Sequence, residues 1–426
     1  MNARTMPETG PAAKRPSDFT RLWAGQTASV FGSYVGGVAL QFVAILWLGA
    51  SPVEISLLAA AQLVPGFLIG LVAGVWVDRL RRRPILIAAD IGRALALATV
   101  PAAAFAGVLG MPHLVAVALV TSALGVFFDV AYEAHLPSLV GRDALVRGNS
   151  RLAATAALAE IGAFGLGGWL VQLLSAPGAV LVDAASFVVS GAAVASIRRP
   201  EPPPAPAEDR RPLGHEAVEG LRIVAREPVL RALAVANAAL QLAGGLIGTV
   251  ILVYLSRDVG FEPGPLGMIF AVGGASSLAG IWLAGRRRRR IGRSLVAAVA
   301  VRALGASFTP LTGEVSWLGV GLLVAAQLVS DPAHALYEIQ HVSLRQAMTA
   351  DRLRGRVNAS MRFLEFAAQL AGTLAAGVLG QTVGLRATLW LAVAIIAATA
   401  AWLALSPVRR VDRLADDAES PHVGTA

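Results

Sequence analysis

The sequence predicts an all-α integral membrane protein with twelve transmembrane helices in two pseudo-symmetric six-helix bundles. Three observations carry that prediction. Across 426 residues the chain is 56% hydrophobic and 15% charged, with a mean hydropathy of +0.65, whereas soluble domains average about 25% charged residues. Its apolar residues gather into twelve stretches, each long enough to cross about 30 Å of hydrocarbon as a helix. The last six stretches also repeat residues of the first six. Aromatic residues make up only 6%, while glycine supplies 44 positions, a mixture that suits closely packed helices in lipid. This composition excludes a disordered chain and a nucleic-acid-binding module.

In order, the predicted spans are 22–48, 54–77, 84–106, 112–136, 151–174 and 177–197, then 229–256, 262–285, 292–312, 315–341, 357–382 and 386–406. Charged joints or Gly/Pro turns separate them, among them Ser175-Ala-Pro-Gly178 and Gly260-Phe-Glu-Pro-Gly264. Residues 1–21 form a polar N-terminal tail. It lacks the apolar core of a cleavable signal peptide, so the first span is expected to be the retained targeting signal. The six-helix units are 22–197 and 229–406, followed by a tail over 407–426. Residues 198–228 are the one long hydrophilic stretch. They open with Arg-Arg-Pro-Glu-Pro-Pro-Pro, a stiff spacer, and then place Ala217, Leu221, Val224 and Ala225 on one face of a short helix over 213–226.

Orientation follows from the arginines. They cluster at 79–83, 142–151, 198–231, 286–293, 345–362 and 409–413, always after an even-numbered span. Arg257 and Arg386 fall in the opposite joints, and Arg93 and Arg302 lie inside spans. The other 32 of the 36 cations flank one side. The positive-inside rule makes that side, and both termini, cytoplasmic, in an inner (plasma) membrane. The five arginines at 286–290 read more simply as a topology anchor than as a nucleic-acid or lipid site, so the +9 net charge implies no nucleic-acid partner. Lys14 is the only lysine and lies outside any Walker A loop, so the chain is expected to lack its own ATP motor. Cysteine is absent, and no cofactor or metal is expected.

The repeat is explicit. Gly74-Val-Trp-Val-Asp-Arg-Leu-Arg-Arg-Arg83 returns as Gly280-Ile-Trp-Leu-Ala-Gly-Arg-Arg-Arg-Arg289, and Arg93-Ala-Leu with Pro101 returns as Arg302-Ala-Leu with Pro310. Tyr132-Glu133 returns as Tyr337-Glu338, and Asn149 as Asn358. Four pairs in one order, at offsets of 205 to 209 residues, mark two copies of one unit.

Twelve spans in two repeated halves, a hydrophilic central loop and a cationic motif between spans 2 and 3 resemble the major facilitator superfamily. More narrowly, the chain resembles the drug:proton antiporters that include enterobactin and macrolide exporters. Leu22-Trp-Ala-Gly-Gln-Thr-Ala-Ser29, Leu136-Pro-Ser-Leu-Val140, Val182-Asp-Ala-Ala-Ser-Phe187, Ser343-Leu-Arg-Gln346 and Arg354-Gly-Arg-Val-Asn358 carry that likeness. Gly74, Asp78, Arg79, Arg82 and Arg83 match the family's gating motif, with Arg81 in place of its second glycine. The resemblance implies a cytoplasmic latch at Asp78, formed when the transporter faces outward. The second half has Ala284 there. Of the exporter motif in span 5, Gly167 and Gly168 are present, but Ala163 and Phe164 replace its Gly-Pro.

Ionisable residues inside spans cost several kcal/mol unless paired or hydrated, which makes each a functional candidate. Asp129 and Glu133, with His135, lie in span 4; Asp331 and Glu338, with His334 and His341, lie in span 10; Asp183 lies in span 6. The carboxylates are the candidates for proton coupling; the alternative for those of spans 4 and 10 is solvation or pairing near the membrane edge, and for Asp183 a hydrogen-bonded packing role. Glu160 and Glu365 read like Asp183, as coupling or hydrogen-bonded packing carboxylates, though snorkelling towards the cytoplasm is the easier account. Of the intramembrane cations, Arg93 can pair with Asp90 one turn away, whereas Arg302 needs a partner on another helix. Gln26, Ser33, Tyr34 and Gln41 in span 1, with Asn237 and Gln241 in span 7, lie on helices that line the central cavity in the resembled fold. Each is expected to contact either the substrate or a neighbouring helix.

No nucleophile elbow, His-Glu-x-x-His motif or cysteine supports an enzyme. The expected activity is secondary transport: proton-coupled efflux of a hydrophobic or amphipathic drug or natural product by alternating access, by a monomer in the lipid bilayer. Export of one endogenous metabolite such as a siderophore is the alternative, with a transport-silent sensor or scaffold as a third. Asp78→Asn should lower transport about tenfold, the worth of one charge-assisted hydrogen bond, while leaving the amount of inserted protein in membrane fractions unchanged.

Overall fold

The structure, a computed structural model, describes residues 18–78, 80–140, 145–198, 213–286 and 290–412. Twelve helices among them are long and apolar enough to cross a membrane. The first six are α1 (Asp18–Phe42), α2 (Pro52–Asp78), α3 (Arg82–Phe105), α4 (Met111–Val140), α5 (Leu145–Leu174) and α6 (Ala176–Ala195). A short α7 (Leu213–Arg226) precedes α8 (Pro228–Val253), α9 (Pro263–Arg286), α10 (Ile291–Leu311), α11 (Trp317–Ala347), α12 (Arg354–Thr382) and α13 (Leu385–Leu405). In α4, α5 and α11 the helix continues beyond the apolar span into the arginine-rich joints.

Lipid cannot satisfy a backbone amide, so each span closes its own hydrogen bonds as a helix and buries side chains only against other helices. In the first half α1 packs on α5 and α6, α3 on α4 and α6, and α2 on α4. The second half reproduces this with α8 on α12 and α13, α10 on α11 and α13, and α9 on α11. Two seams join the halves, α5 with α9 and α2 with α12, and the repeat exchanges one seam for the other.

A further repeated feature had no signal in the hydropathy. Both α1 and α8 end in a π-helical turn, Val43–Trp47 and Tyr254–Asp258. The closing bonds correspond pairwise: Leu48 N–H to Val43 C=O with Val259 N–H to Tyr254 C=O, and Ala50 N–H to Ala44 C=O with Phe261 N–H to Leu255 C=O. Gly49 (φ +63°) and Gly260 (φ +94°) take the left-handed position that ends each helix.

Glycines set the closest helix contacts. On α1, Gly32 and Gly36 face α6, where an added methyl would run into Ser186 and into the Asp183 carboxylate. Gly245 on α8 and Gly372 on α12 likewise bring backbone against backbone. Trp76 and Trp282, repeat partners near the arginine-rich ends, are exposed, and Arg286 lies 3.8 Å over the Trp282 ring. This is the interfacial aromatic–cation pattern of membrane helices. The linker helix α7 packs on α12 and α8. Its buried stripe runs through Gly220 and Val224, while Ala225 is exposed. The expected face is thus rotated, because Gly220 lets α7 approach Ser360 and the Arg356 carbonyl. At the far end the chain over 407–412 folds back on α10, where Arg290 N–H bonds Asp412 C=O and Gly292 N–H bonds Val411 C=O.

Gly36→Ala should lower the melting midpoint of the detergent-purified protein, since overpacking costs about 1–3 kcal/mol. Gly37→Ala, whose methyl would meet open space, should leave it unchanged or slightly raised.

Candidate functional site: a cavity between the halves

A cavity of about 320 Å³ lies where the halves meet, within the range of small-molecule sites. Its walls are Ser33, Tyr34 and Gln41 of α1, Phe164 of α5, Gly248 and Ile251 of α8, and Leu266 and Phe270 of α9. The Tyr34 and Phe164 rings are tilted together with centroids 5.9 Å apart. The lining carries no charge and few hydrogen-bonding groups. It can hold an apolar or aromatic body and fix its orientation with a hydroxyl or an amide.

The halves close over this cavity at the arginine-poor end. On one seam an added methyl on Gly168 would strike the Pro263 carbonyl, and one on Gly267 the Phe164 carbonyl, so α5 and α9 touch backbone to backbone. Gln172 completes that contact, donating to the Glu262 carboxylate (2.7 Å) and accepting from Gly264 N–H (3.2 Å). On the other seam Gly377 meets Ser56 and Val53, and Gly380 meets Pro52. Arg257 adds a third contact between the halves. Its guanidinium, in the second π-turn, donates to the Ile45 carbonyl (2.5 Å) and the Ala50 carbonyl (2.6 Å) of the first half. Helix C-terminal carbonyls lack intrahelical donors and attract cations.

A second, polar cavity of about 200 Å³ lies inside the first half. Arg93 there donates to Asp90 at 2.5 Å, and its guanidinium sits 4.4 Å from the Phe128 ring centre and 4.0 Å from that of Phe187. Asp183, 5% exposed, takes bonds from Ser186 (3.4 Å) and Ser33 (3.5 Å). Asp183 and Asp129 both act on Arg93 through space. Ser33 and Gly37 belong to both cavities, so one turn of α1 is the wall between the buried carboxylate and the central site. Asp129 and Glu133 lie on the exposed side of α4.

The repeat-related site in the second half is a cavity of about 130 Å³ containing Arg302, Gln327, Ser330, Asp331 and His334. Arg302 is in the field of Asp331 and Glu338 of α11, the partner helix the sequence required. Asn237, expected at either the cavity or a helix contact, takes the second place. It is 4% exposed, accepts from Tyr337 Oη (2.9 Å) and donates to Glu365 (2.5 Å). Gln26 and Gln241 are half-buried and are not among the residues lining the central cavity.

Of the gating motif, Arg79 lies outside the described residues, as do the side chain of Asp78 and the surroundings of Gly74. Arg83 caps α6 through the Ala195 carbonyl at 2.5 Å, and Arg82 opens α3. As closing contacts Gln172 and Glu262 carry no signal in the sequence, whereas Arg257 stands out there as one of two cations in the arginine-poor joints.

The Major Facilitator Superfamily profile matches residues 22–333. Among curated relatives, the multidrug efflux pump Tap of Mycolicibacterium fortuitum is 31% identical over 374 residues, covering 83% of this chain and 88% of that protein. Tap of Mycobacterium tuberculosis is 30% identical over 404 residues, covering 88% and 91%. A bacterial homologue of the iron transporter ferroportin, solved facing inward, superposes with a TM-score of 0.71 at 16% identity, covering 91% of this chain and 98% of that one. In its outward-facing state the homologue superposes with a TM-score of 0.55.

Arg257→Ala should open the arginine-poor end. Because the chain has no cysteine, spin labels at Val108→Cys and Val315→Cys report on it directly. The population at long distance should rise about tenfold with the loss of these charge-assisted bonds, as read by double electron–electron resonance.

Proposed function

Because the chain belongs to the major facilitator superfamily, and is therefore a multi-pass membrane transporter of small molecules, we propose that it exports hydrophobic or amphipathic molecules in exchange for protons. Relatives with 30–31% identity across most of the chain are named multidrug efflux pumps, and the cavity between the halves is apolar and aromatic. By the positive-inside rule the arginine-rich end faces the cytoplasm. A structure closed at the opposite end is then the state that loads from inside.

One observation carries the coupling: the Ser33 hydroxyl faces the substrate cavity and also bonds the Asp183 carboxylate. A proton on Asp183 removes a negative charge one turn of α1 from the cavity, which weakens the attraction for a cationic amphipathic substrate such as ethidium, and that substrate in turn favours the ionised carboxylate. Proton and cationic substrate thereby disfavour each other, as exchange requires. Asp129, Glu133, Asp331 and Glu338 are further groups through which the proton could pass. Rocking of the halves around the cavity supplies alternating access, with Asp78, Arg79, Arg82 and Arg83 latching the cytoplasmic end once the outer end opens. The site lies within one chain, so a monomer suffices.

The test uses inside-out membrane vesicles holding an imposed pH gradient, to which ethidium and a panel of amphipathic drugs are added. Substrate should dissipate the gradient, and Asp183→Asn should reduce that response about tenfold or more, as expected for loss of a buried charge. No response across the panel would sink proton coupling.

A further inference from the structure

Glu365 does not snorkel. It points from α12 into a buried network that the transport scheme above leaves unused. Its Oε1 accepts from Asn237 Nδ2 of α8 at 2.5 Å and lies 3.5 Å from Arg345 Nη1 of α11. Asn237 is fixed by the Tyr337 hydroxyl and lies 3.4 Å from His341 Nδ1, and the His341 ring stacks on Tyr337. The Glu365 side chain is 19% exposed and that of Arg345 9%, so water reaches the carboxylate while its partners stay buried.

Two more observations give this group a role beyond packing. Glu365 lies between Phe363 and Phe366, and both rings pack on Phe67 of α2 at 5.2 Å between centroids. One helix therefore carries the ion pair on one side and half of an inter-half seam on the other. Glu365 follows Glu160 by 205 residues, one helical turn short of the 209 that relate Asn149 to Asn358 on the same two helices. In the first half Glu160 adjoins Tyr34 of α1. Both halves thus place a glutamate of the fifth helix against their own first helix.

Charged and ionisable groups face Glu365 chiefly from α11. From α11 it faces Arg345, His341, Tyr337 and, through space, Glu338. From α8 it faces the neutral Asn237. The α7 cations Arg222 and Arg226 are exposed, as is Arg362 on its own helix. Arg386 of α13 is held by the Pro310 carbonyl.

We propose that Glu365 is a second coupling carboxylate, located in the C-terminal half and acting on the seam. As an anion it ties α12 to α8 and α11. When it takes a proton from vestibule water it releases Arg345, and α12, with Phe363 and Phe366, is free to move against α2. This rests on the antiport reading.

The experiment compares Glu365→Gln with the unsubstituted chain in proteoliposomes, using ethidium as probe. Glu365→Gln keeps the size and the bond to Asn237 but cannot take up a proton. Accumulation driven by a pH gradient should fall about tenfold or more, the worth of a lost ion-pair contact. Counterflow of ethidium without a gradient should persist, and Glu365→Asp should restore most of the gradient-driven component. Unchanged gradient-driven accumulation in Glu365→Gln overturns the proposal, as does loss of counterflow that Glu365→Asp fails to rescue, which marks a packing residue. If the unsubstituted chain ignores the gradient, the antiport reading falls and takes this proposal with it. Should Glu365→Gln fail to fold, carbodiimide modification of the unsubstituted chain decides the matter by mass spectrometry. Glu365 labelling that increases as pH falls supports the proposal, and labelling indifferent to pH overturns it.

Discussion

A charge in hydrocarbon costs several kcal/mol unless it is neutralised, solvated or hydrogen-bonded, and this one penalty orders the molecule at every scale. At the largest scale it drives the arginines to one face of the membrane and leaves twelve nearly uncharged spans. Within the halves it gathers the remaining charges into clusters that satisfy one another. Arg93 lies between Asp90 and two aromatic rings, and Arg345 lies against Glu365. At the closed end Arg257 has the Asp258 carboxylate beside it and is further solvated by two carbonyls that the end of a helix leaves without intrahelical donors.

The repeat supplies a scaffold that the two halves use differently. Helix pairings, π-turns and terminal glycines correspond, but the chemistry inside does not. The first half puts Asp183 beside the central cavity, separated from it by Ser33. The second half has Leu389 on the corresponding helix, facing its own small cavity, and concentrates its ionisable groups on α11 and α12. On the proposed antiport reading, two copies of one bundle divide the work, one coupling protons to the cavity and the other to the seam. Identical halves would have duplicated one function and left the other without a group to perform it.

Much of the fold was legible because lipid imposes a one-dimensional rule. Each span must be apolar over a fixed length, so helix limits follow from local sequence. The pairing of Asp90 with Arg93 was legible for the same reason, being one turn of one helix. What escaped depends on which neighbour a helix face meets. Asn237 and Ser33 are both polar residues on the first helix of a half, and nothing local says that one is buried against α11 and α12 while the other faces the cavity. Glu365 escaped similarly, since snorkelling and network burial begin from the same position on a helix. The partners of Arg257 are main-chain carbonyls, which every sequence has and none advertises.

The geometry of closure constrains how the molecule can open. At the arginine-poor end both seams are glycine contacts, backbone against backbone on α5–α9 and close against Ser56, Val53 and Pro52 on α2–α12, so the halves cannot approach further there and can only separate. Breaking them exposes little polar surface apart from Gln172, Glu262 and Arg257, and water at the membrane edge can solvate all three. Nearer the middle the α2–α12 seam is the aromatic cluster of Phe67, Phe363 and Phe366, whose rings can slide without leaving a buried donor unpaired. Glycine contacts resist compression, and aromatic contacts tolerate shear. A body held by the first at one end and the second near its centre turns about the centre, and that rotation would open the Ser33 wall first to one side of the membrane and then to the other.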